Sequence, residues 1–334
     1  MVGGLVEATD DDELLGFAVT GVRGRRRVRG AFRGLPLRLR LVSVPAGHAF
    51  RTAWSRAARP PVERLTGRLD VYHASDWMHP RQRGGIRATT IHDLVPLHFP
   101  DLVHARTREL HAETYRRAAA CDIVFANSEF TAGDAATELG IPRERIQVAY
   151  PGIDSVFSPD GRRAERGAAY VLTVSTLEPR KNIATVLEAF RRLRAGRPAL
   201  ELVVAGAVAP GARPPAPVDG VRLLGFVPDE ELAALYRGAS AFVYTSRFEG
   251  FGMPVVEALA SGAPTVASAH PSLSEAAGDA ACRADETNPD SIAEALEQAL
   301  ARREERREAG LRHAARFTWR ACGQAVLHGY RTAL

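Results

Sequence analysis

The chain has 334 residues, 46% hydrophobic and 25% charged, with a formal net charge of +5. These are ordinary values for a soluble globular protein, and the length suffices for two domains. The charge permits an anionic ligand without demanding nucleic acid. Three scattered cysteines, Cys121, Cys282 and Cys322, fit a reducing cytosol better than a disulfide framework. No cysteine or histidine cluster of metal type is present, and no metal is expected. No apolar run approaches the roughly 20 residues that span a bilayer. The acidic run at Asp10 to Glu13 is unlike a secretory signal.

In chain order, Val2 to Ala8 reads as a short helix followed by an acidic turn at Asp10 to Glu13. Leu14 to Val19 is a strand candidate. Residues 22–40 carry eight arginines, among them Arg25, Arg26 and Arg27. Such a charge run reads first as a solvated loop with an edge strand. The alternative is contact with an anionic membrane surface or an anionic acceptor. Leu37 to Val44 is a strand, His48 to Ala58 a helix, and Val71 to Ala74 and Arg87 to Ile91 are strands. Arg106 to Ala120 is a helix with an apolar stripe, and Ile123 to Ala126 a buried strand. Ser128 with Thr131 opens the next helix, which Gly140 and Pro142 stop. Ile146 to Ala149 is the last strand of this half.

Residues 155–167 are polar, contain Pro159 and Gly161, and read as a linker. The second half alternates again: strand Ala169 to Ser175, helix Ile183 to Ala195, strand Leu200 to Ala205. The proline-rich loop Gly206 to Asp219 follows, then strand Val221 to Leu224, helix Asp229 to Tyr236 and strand Ala241 to Tyr244. Pro264 to Ala267 is a further strand, and Ser291 to Ala301, Arg302 to Ala315 and Trp319 to Tyr330 are helices. This alternation predicts an α/β chain with parallel sheets covered on both faces. Ligands of such sheets bind beyond the carboxyl ends of the strands, where His92, Asn127 and Ser128 stand. The expected plan is a domain over 1–154, a linker over 155–167 and a second domain over 168–316. A last helix over 317–334 is a candidate to cross back to the first domain.

The chemistry concentrates in two places. After Ala241 to Tyr244 comes Ser246 to Gly262, with a glycine-bearing turn and a helix beginning near Met253-Pro254. Proline suits a first helical turn, where its missing N–H has no partner to lose. The N–H groups of that helix start form an anion site, flanked by Glu249 and Glu257. Amides for phosphate oxygens beside carboxylates for hydroxyls suggest a ligand with both groups. The bland reading is an ordinary strand-turn-helix connection with surface glutamates. The second place is Val174 to Asn182, where Arg180 and Lys181 meet a helix start. Lys181 is the only lysine, against 43 arginines. A compact ammonium is not interchangeable with a planar guanidinium. Two such cations at a helix start can stabilise charge growing on a bound anionic group without a metal. The bland reading is an exposed basic pair in a loop.

The stretch FEGFGMPVVEALASGAP, with seven residues between Glu249 and Glu257, resembles the signature of retaining glycosyltransferases of family 4. These are group 1, mannosyltransferase-like enzymes of the GT-B fold. The resemblance runs from about residue 65 to the C-terminus. It implies two Rossmann-like parallel-sheet domains facing across a cleft, the first for the acceptor and the second for a nucleotide-sugar donor. It places the donor ribose on Glu257, the donor sugar on Glu249, and sugar and phosphate on the amides of Phe251, Gly252 and Met253. LEPRKN resembles the family's diphosphate-binding segment, which assigns Lys181 to that group and makes Arg180 the candidate second cation. Relatives carry an arginine where this chain has Thr176. Gly225-Phe226-Val227-Pro228 is similar to the segment that holds the nucleobase near Val227, and His92 resembles the histidine near the donor sugar. Glu249, His92 and Lys181 are thus the residues implied in catalysis.

The family normally opens with a strand and a glycine-rich loop that this sequence lacks, so a further ~20 to 40 upstream residues are expected, the length of a strand, loop and half-helix. The expected function is transfer of a hexose, first mannose from GDP-mannose, to a glycan or lipid-linked acceptor. The expected location is the cytoplasm or the inner face of the membrane, with no cofactor and no nucleic acid. The alternatives are a nucleotide-sugar epimerase of the same fold and a non-catalytic GT-B-like binding protein. The sequence argues against a nicotinamide dehydrogenase, since no G-x-G-x-x-G joins a strand to a helix.

Overall fold

Ile123-Val124-Phe125-Ala126 and Ala241-Phe242-Val243-Tyr244 have no alternating polar face, so both of their faces must be covered. In the computed structural model, which describes residues 1–9, 12–57, 59–75, 79–208 and 217–334, both runs are inner strands of parallel sheets and are buried throughout. The chain divides into two compact units. One comprises Met1–Gly152 with Thr318–Leu334, the other Ile153–Phe317.

In the first unit β1 (Leu15–Thr20) and β2 (Arg38–Ser43) form a parallel pair. A separate parallel sheet holds β3 (Val71–Ala74), β4 (Ile86–Ile91), β5 (Ile123–Ala126) and β6 (Ile146–Val148) in chain order. Helix Trp319–Ala333 lays Cys322, Val326 and Leu327 on Ala88, Ile123 and Phe125 of this sheet. Helix Val2–Ala8 closes on that helix at two glycines. A Cβ on Gly4 would lie 1.7 Å from the Trp319 carbonyl oxygen, and one on Gly323 would lie 2.0 Å from the Gly4 oxygen.

A polar clamp joins the helix to the sheet. The His73 ring bonds the Tyr330 hydroxyl at 2.6 Å and Thr90 Oγ1 at 2.9 Å, and stacks on Phe125 at 5.3 Å. Burial, helped by nearby His92 and His79, pushes the His73 imidazole down to about 4, so it is neutral at physiological pH. Tyr330→Phe leaves one buried ring nitrogen without its partner. The expected loss is about 1–3 kcal/mol, read as a lower urea midpoint. An unchanged midpoint would show that the clamp contributes nothing.

The second unit holds a six-stranded parallel sheet of β7 (Tyr170–Val174), β8 (Glu201–Ala205), β9 (Val221–Gly225), β10 (Ala241–Tyr244), β11 (Thr265–Ser268) and β12 (Cys282–Ala284). Their order is β12-β11-β10-β7-β8-β9. Ile183, Val186, Leu187 and Phe190 of one helix and Ile292, Leu296 and Ala299 of another share a core with Val171, Leu202, Val204 and Val243. The strand order reverses between β7 and β10. Their outgoing connections therefore part in opposite directions and leave a crevice at their carboxyl ends.

Several elements differ from the expectation. Val22–Ala31 is a helix with no buried residue, not a loop. Arginine is a good helix former, and a segment polar on every side shows no apolar period to reveal it. The three-residue strand Cys282–Ala284 escaped notice. Residues 155–167 belong to the second unit rather than standing free. Arg237 fastens them, its Nε donating to the Arg162 carbonyl at 2.8 Å and its Nη1 to those of Val156 and Ser158 at 3.1 and 3.0 Å. Asp10, Asp11, Ala58 and most of the loop Gly206 to Asp219 lie outside the described residues. Among the described residues no helix is long and apolar enough to cross a membrane.

Candidate active site

Both sequence motifs leave the sheet at the switch point. The loop after β7 runs through a 3-10 turn, Pro179–Lys181, into helix Ile183–Ala195. The loop after β10 runs through Glu249 to helix Met253–Ala260. Asn182 stitches the two together. It is buried, adopts φ 63°, and its amide donates to the Thr245 carbonyl at 3.1 Å and the Glu286 carbonyl at 2.7 Å. Its Oδ1 accepts from the Thr185 hydroxyl at 2.7 Å. The Arg247 amide adds a bond to the Arg180 carbonyl at 3.0 Å. Asn182→Ala removes these side-chain bonds and leaves a left-handed residue without the compensation asparagine has. The expected loss is roughly 2–4 kcal/mol in urea denaturation. Asn182→Gly, which relieves the backbone alone, is expected to recover only part of it.

Lys181 Nζ donates to Glu249 Oε1 at 2.6 Å and to the Tyr244 hydroxyl at 2.9 Å. The Tyr244 hydroxyl donates in turn to the same Oε1 at 2.8 Å. Arg180 Nη1 lies 3.1 Å from that oxygen, and its Nη2 pairs with Glu178 at 2.7 Å. Arg180 also donates to the Phe248 carbonyl. The side chains of Arg180, Lys181 and Glu249 are 12, 14 and 12% exposed. Burial by itself would push the Glu249 carboxyl up, but Lys181 and then Arg180 outweigh it and hold the group below its ordinary range. Burial and the Glu249 charge drive the Tyr244 phenol well above its ordinary value, so it stays a neutral donor. Two buried cations and their carboxylates cost much desolvation. Such a cluster at a ligand crevice is a functional-site signature.

Glu257 stands on the helix that follows, half-buried, and accepts from the Tyr236 hydroxyl at 3.4 Å. Burial pushes its carboxyl up to about 7 against the Tyr236 bond, with Asp229 and Asp154 adding repulsion. Between about pH 4.5 and 7 the unfolded chain has lost this proton and the folded chain has kept it. Stability therefore falls as pH rises through that window, by on the order of 3 kcal/mol. Glu257→Gln is expected to flatten this dependence, measured as urea midpoints at several pH values. An unchanged slope would assign it to another group.

Phe251 is buried against Phe317, with ring centroids 5.2 Å apart. Gly252 caps the helix with φ 103°, and Met253 is its first residue. Val227 is half-buried after β9, beside a Phe226 that is 79% exposed. Thr176 is exposed. His92 belongs to the first unit, at the carboxyl end of β4. It lines a cavity of about 120 Å³ with Thr90, His111, Thr114 and Tyr115. A larger cavity, about 370 Å³, is lined by Arg191, Arg194 and Asp219. It lies at the other end of helix Ile183–Ala195 from Lys181, about 20 Å along the axis. The structure thus gathers Arg180, Lys181 and Glu249 and sets Glu257 on the adjoining helix. Sequence reasoning missed Tyr244, which hid in an apolar run, and Asn182 and Tyr236, whose partners are distant in the chain.

Known proteins resemble this chain. The family model for glycosyl transferases group 1 matches residues 160–315, and that for Glycosyltransferase Family 4 matches residues 13–157. The O-antigen chain mannosyltransferase B of Escherichia coli is 30% identical, over 78% of this chain and 74% of its own. A D-inositol 3-phosphate glycosyltransferase of Geodermatophilus obscurus is 29% identical, over 94% of this chain and 76% of its own. Among solved structures, WaaG, a glycosyltransferase involved in lipopolysaccharide biosynthesis, matches with a TM-score of 0.66 at 17% identity, covering 94% of this chain and 98% of its own. A sucrose-phosphate synthase from Thermosynechococcus elongatus matches with a TM-score of 0.66 at 16% identity, over 96% and 99%. At such identities these structures carry the fold alone, which is GT-B. With a relative this similar over most of its length, the chain belongs to the group 1 glycosyltransferases.

Proposed function

We propose that the protein is a retaining, metal-independent family 4 enzyme that moves mannose from GDP-mannose to a glycan or lipid-linked acceptor. The observation that carries the reading is the buried cluster of Arg180, Lys181 and Glu249 at the switch point of a parallel sheet. Breaking the bond between sugar and diphosphate leaves negative charge on the diphosphate. Lys181 and Arg180 neutralise it from fixed positions, the charge complement otherwise supplied by a divalent ion. Amides of Phe251, Gly252 and Met253 serve the same oxygens and the sugar. Glu257 accepts from the ribose hydroxyls, the backbone near Val227 takes the nucleobase, and Glu249 positions the sugar. His92 is the first unit's residue assigned to the donor sugar, and that unit takes the acceptor. Mannose is favoured because the Escherichia coli relative is named a mannosyltransferase.

The arginine helix Val22–Ala31 supports contact with an anionic lipid surface at the inner face of the membrane. It carries five arginines, no acidic residue and no buried residue. Basic residues near such a surface contribute about 1 kcal/mol each.

The test offers a panel of nucleotide sugars with glycan and lipid-linked acceptors, with and without EDTA. The expected result is consumption of GDP-mannose, unaffected by EDTA, with the α-configuration of the donor kept in the product by NMR. An inverted product, loss of turnover in EDTA, or use of another donor would overturn the matching part. Failure of every nucleotide sugar to raise the melting temperature would overturn the donor site itself.

A further inference from the structure

One carboxylate oxygen, Glu249 Oε1, receives Lys181 at 2.6 Å, the Tyr244 hydroxyl at 2.8 Å and Arg180 at 3.1 Å. Glu249 therefore sits on the two cations that the reading above assigns to the diphosphate, and that reading also asks it to hold the sugar. Its Oε1 is already engaged by both cations. We propose that Glu249 is the resident counter-anion of the diphosphate site, which a nucleotide sugar displaces and a bare nucleoside diphosphate displaces poorly.

The reasoning is electrostatic. Two buried cations without a counter-anion would cost several kcal/mol. Glu249 compensates both, with Glu178 sharing Arg180 at 2.7 Å, and its lowered carboxyl and the raised Arg180 guanidinium agree with that. An arriving diphosphate brings its own negative charge and repels Glu249 from the cations. If a sugar is attached, its hydroxyls donate to the displaced carboxylate, which loses little. If none is attached, the carboxylate is stranded in a largely buried site, and burying a charge without partners is costly. Glu249 thus favours the donor over the diphosphate product and hastens product release. Tyr244 is the positioning residue for the exchange. It is 3% exposed and bonded to both Lys181 and Glu249, so it keeps a hold on the ammonium when the carboxylate leaves.

The inference rests on the donor-site reading, and the experiment separates the two. GDP, UDP and inorganic pyrophosphate are titrated by calorimetry into the wild-type protein and the Glu249→Gln, Glu249→Asp, Tyr244→Phe and Lys181→Ala variants, each first shown to be folded by circular dichroism. Glu249→Gln keeps the shape and removes the charge. It is expected to bind at least one of these diphosphates about 10-fold more tightly than wild type, 1.4 kcal/mol, while its turnover falls. Glu249→Asp, which keeps the charge but draws it back by one methylene, is expected to tighten binding less. Tyr244→Phe is expected to lower kcat more than it raises KM, as loss of positioning should. Equal or weaker diphosphate binding by Glu249→Gln, with wild-type binding that still depends on Lys181, would overturn this inference alone. Diphosphate binding unaffected by Lys181→Ala would overturn the site reading and the inference with it.

Discussion

Lys181→Ala is expected to lower kcat/KM for donor turnover by about 10²–10³-fold, the usual consequence of removing one fixed group that faces developing charge. The geometry explains the size. Lys181 is held by Glu249 and Tyr244 in a pocket that leaves it 14% exposed, so water cannot replace its charge cheaply. It also leaves Glu249 Oε1 with Arg180 as its remaining cation. Lys181→Arg is expected to restore little. The site seats a point charge between a phenol and a carboxylate, and a planar fork presents its donors in other directions. Steady-state kinetics with the donor proposed above decide the matter, and near-normal activity of the alanine variant would refute the proposed role.

Gly206→Ala is expected to cost roughly 3–5 kcal/mol, through backbone strain and overpacking together. Gly206 follows β8 with φ 138°, and a Cβ there would lie 1.8 Å from the Ser175 carbonyl oxygen. That contact is with backbone, which no rotamer change can relieve. Ser175 opens the loop that carries Arg180 and Lys181, so relief must come from moving the site. Both the urea midpoint and donor turnover are expected to fall. Gly196→Ala is the matched control. Nothing lies within 4 Å of a Cβ there and its φ is −92°, so a change below about 0.5 kcal/mol is expected. Equal effects at the two glycines would show that the close approach at Ser175 does not constrain the fold.

What was legible in the residues follows from how local each signal is. Ile123–Ala126 and Ala241–Tyr244 announce buried parallel strands because neither face is polar, and both lie where expected. Ser128 announces a helix because its Oγ meets the Thr131 amide three residues on, at 2.9 Å. The arginine helix Val22–Ala31 was misread because it buries nothing and so carries no apolar period. Tyr244 reads from the sequence only as the end of the apolar strand Ala241 to Tyr244. Its ring is indeed buried, with Lys181 Nζ 5.5 Å from its centroid, and its hydroxyl bonds Lys181.

By itself the sequence determined the alternation of strands and helices and the chemical inventory: one lysine, two glutamates eight positions apart, and glycines before a helix start. Each is set by neighbours within a few positions along the chain. Only the tertiary structure decided that β7 lies beside β10, which brings Lys181 onto Glu249 across 68 residues of sequence. It likewise decided that Tyr330 meets His73 across 257. The reason is that strand order depends on which apolar faces bury one another once all have formed. That choice is made by the whole core and is not written in any one segment.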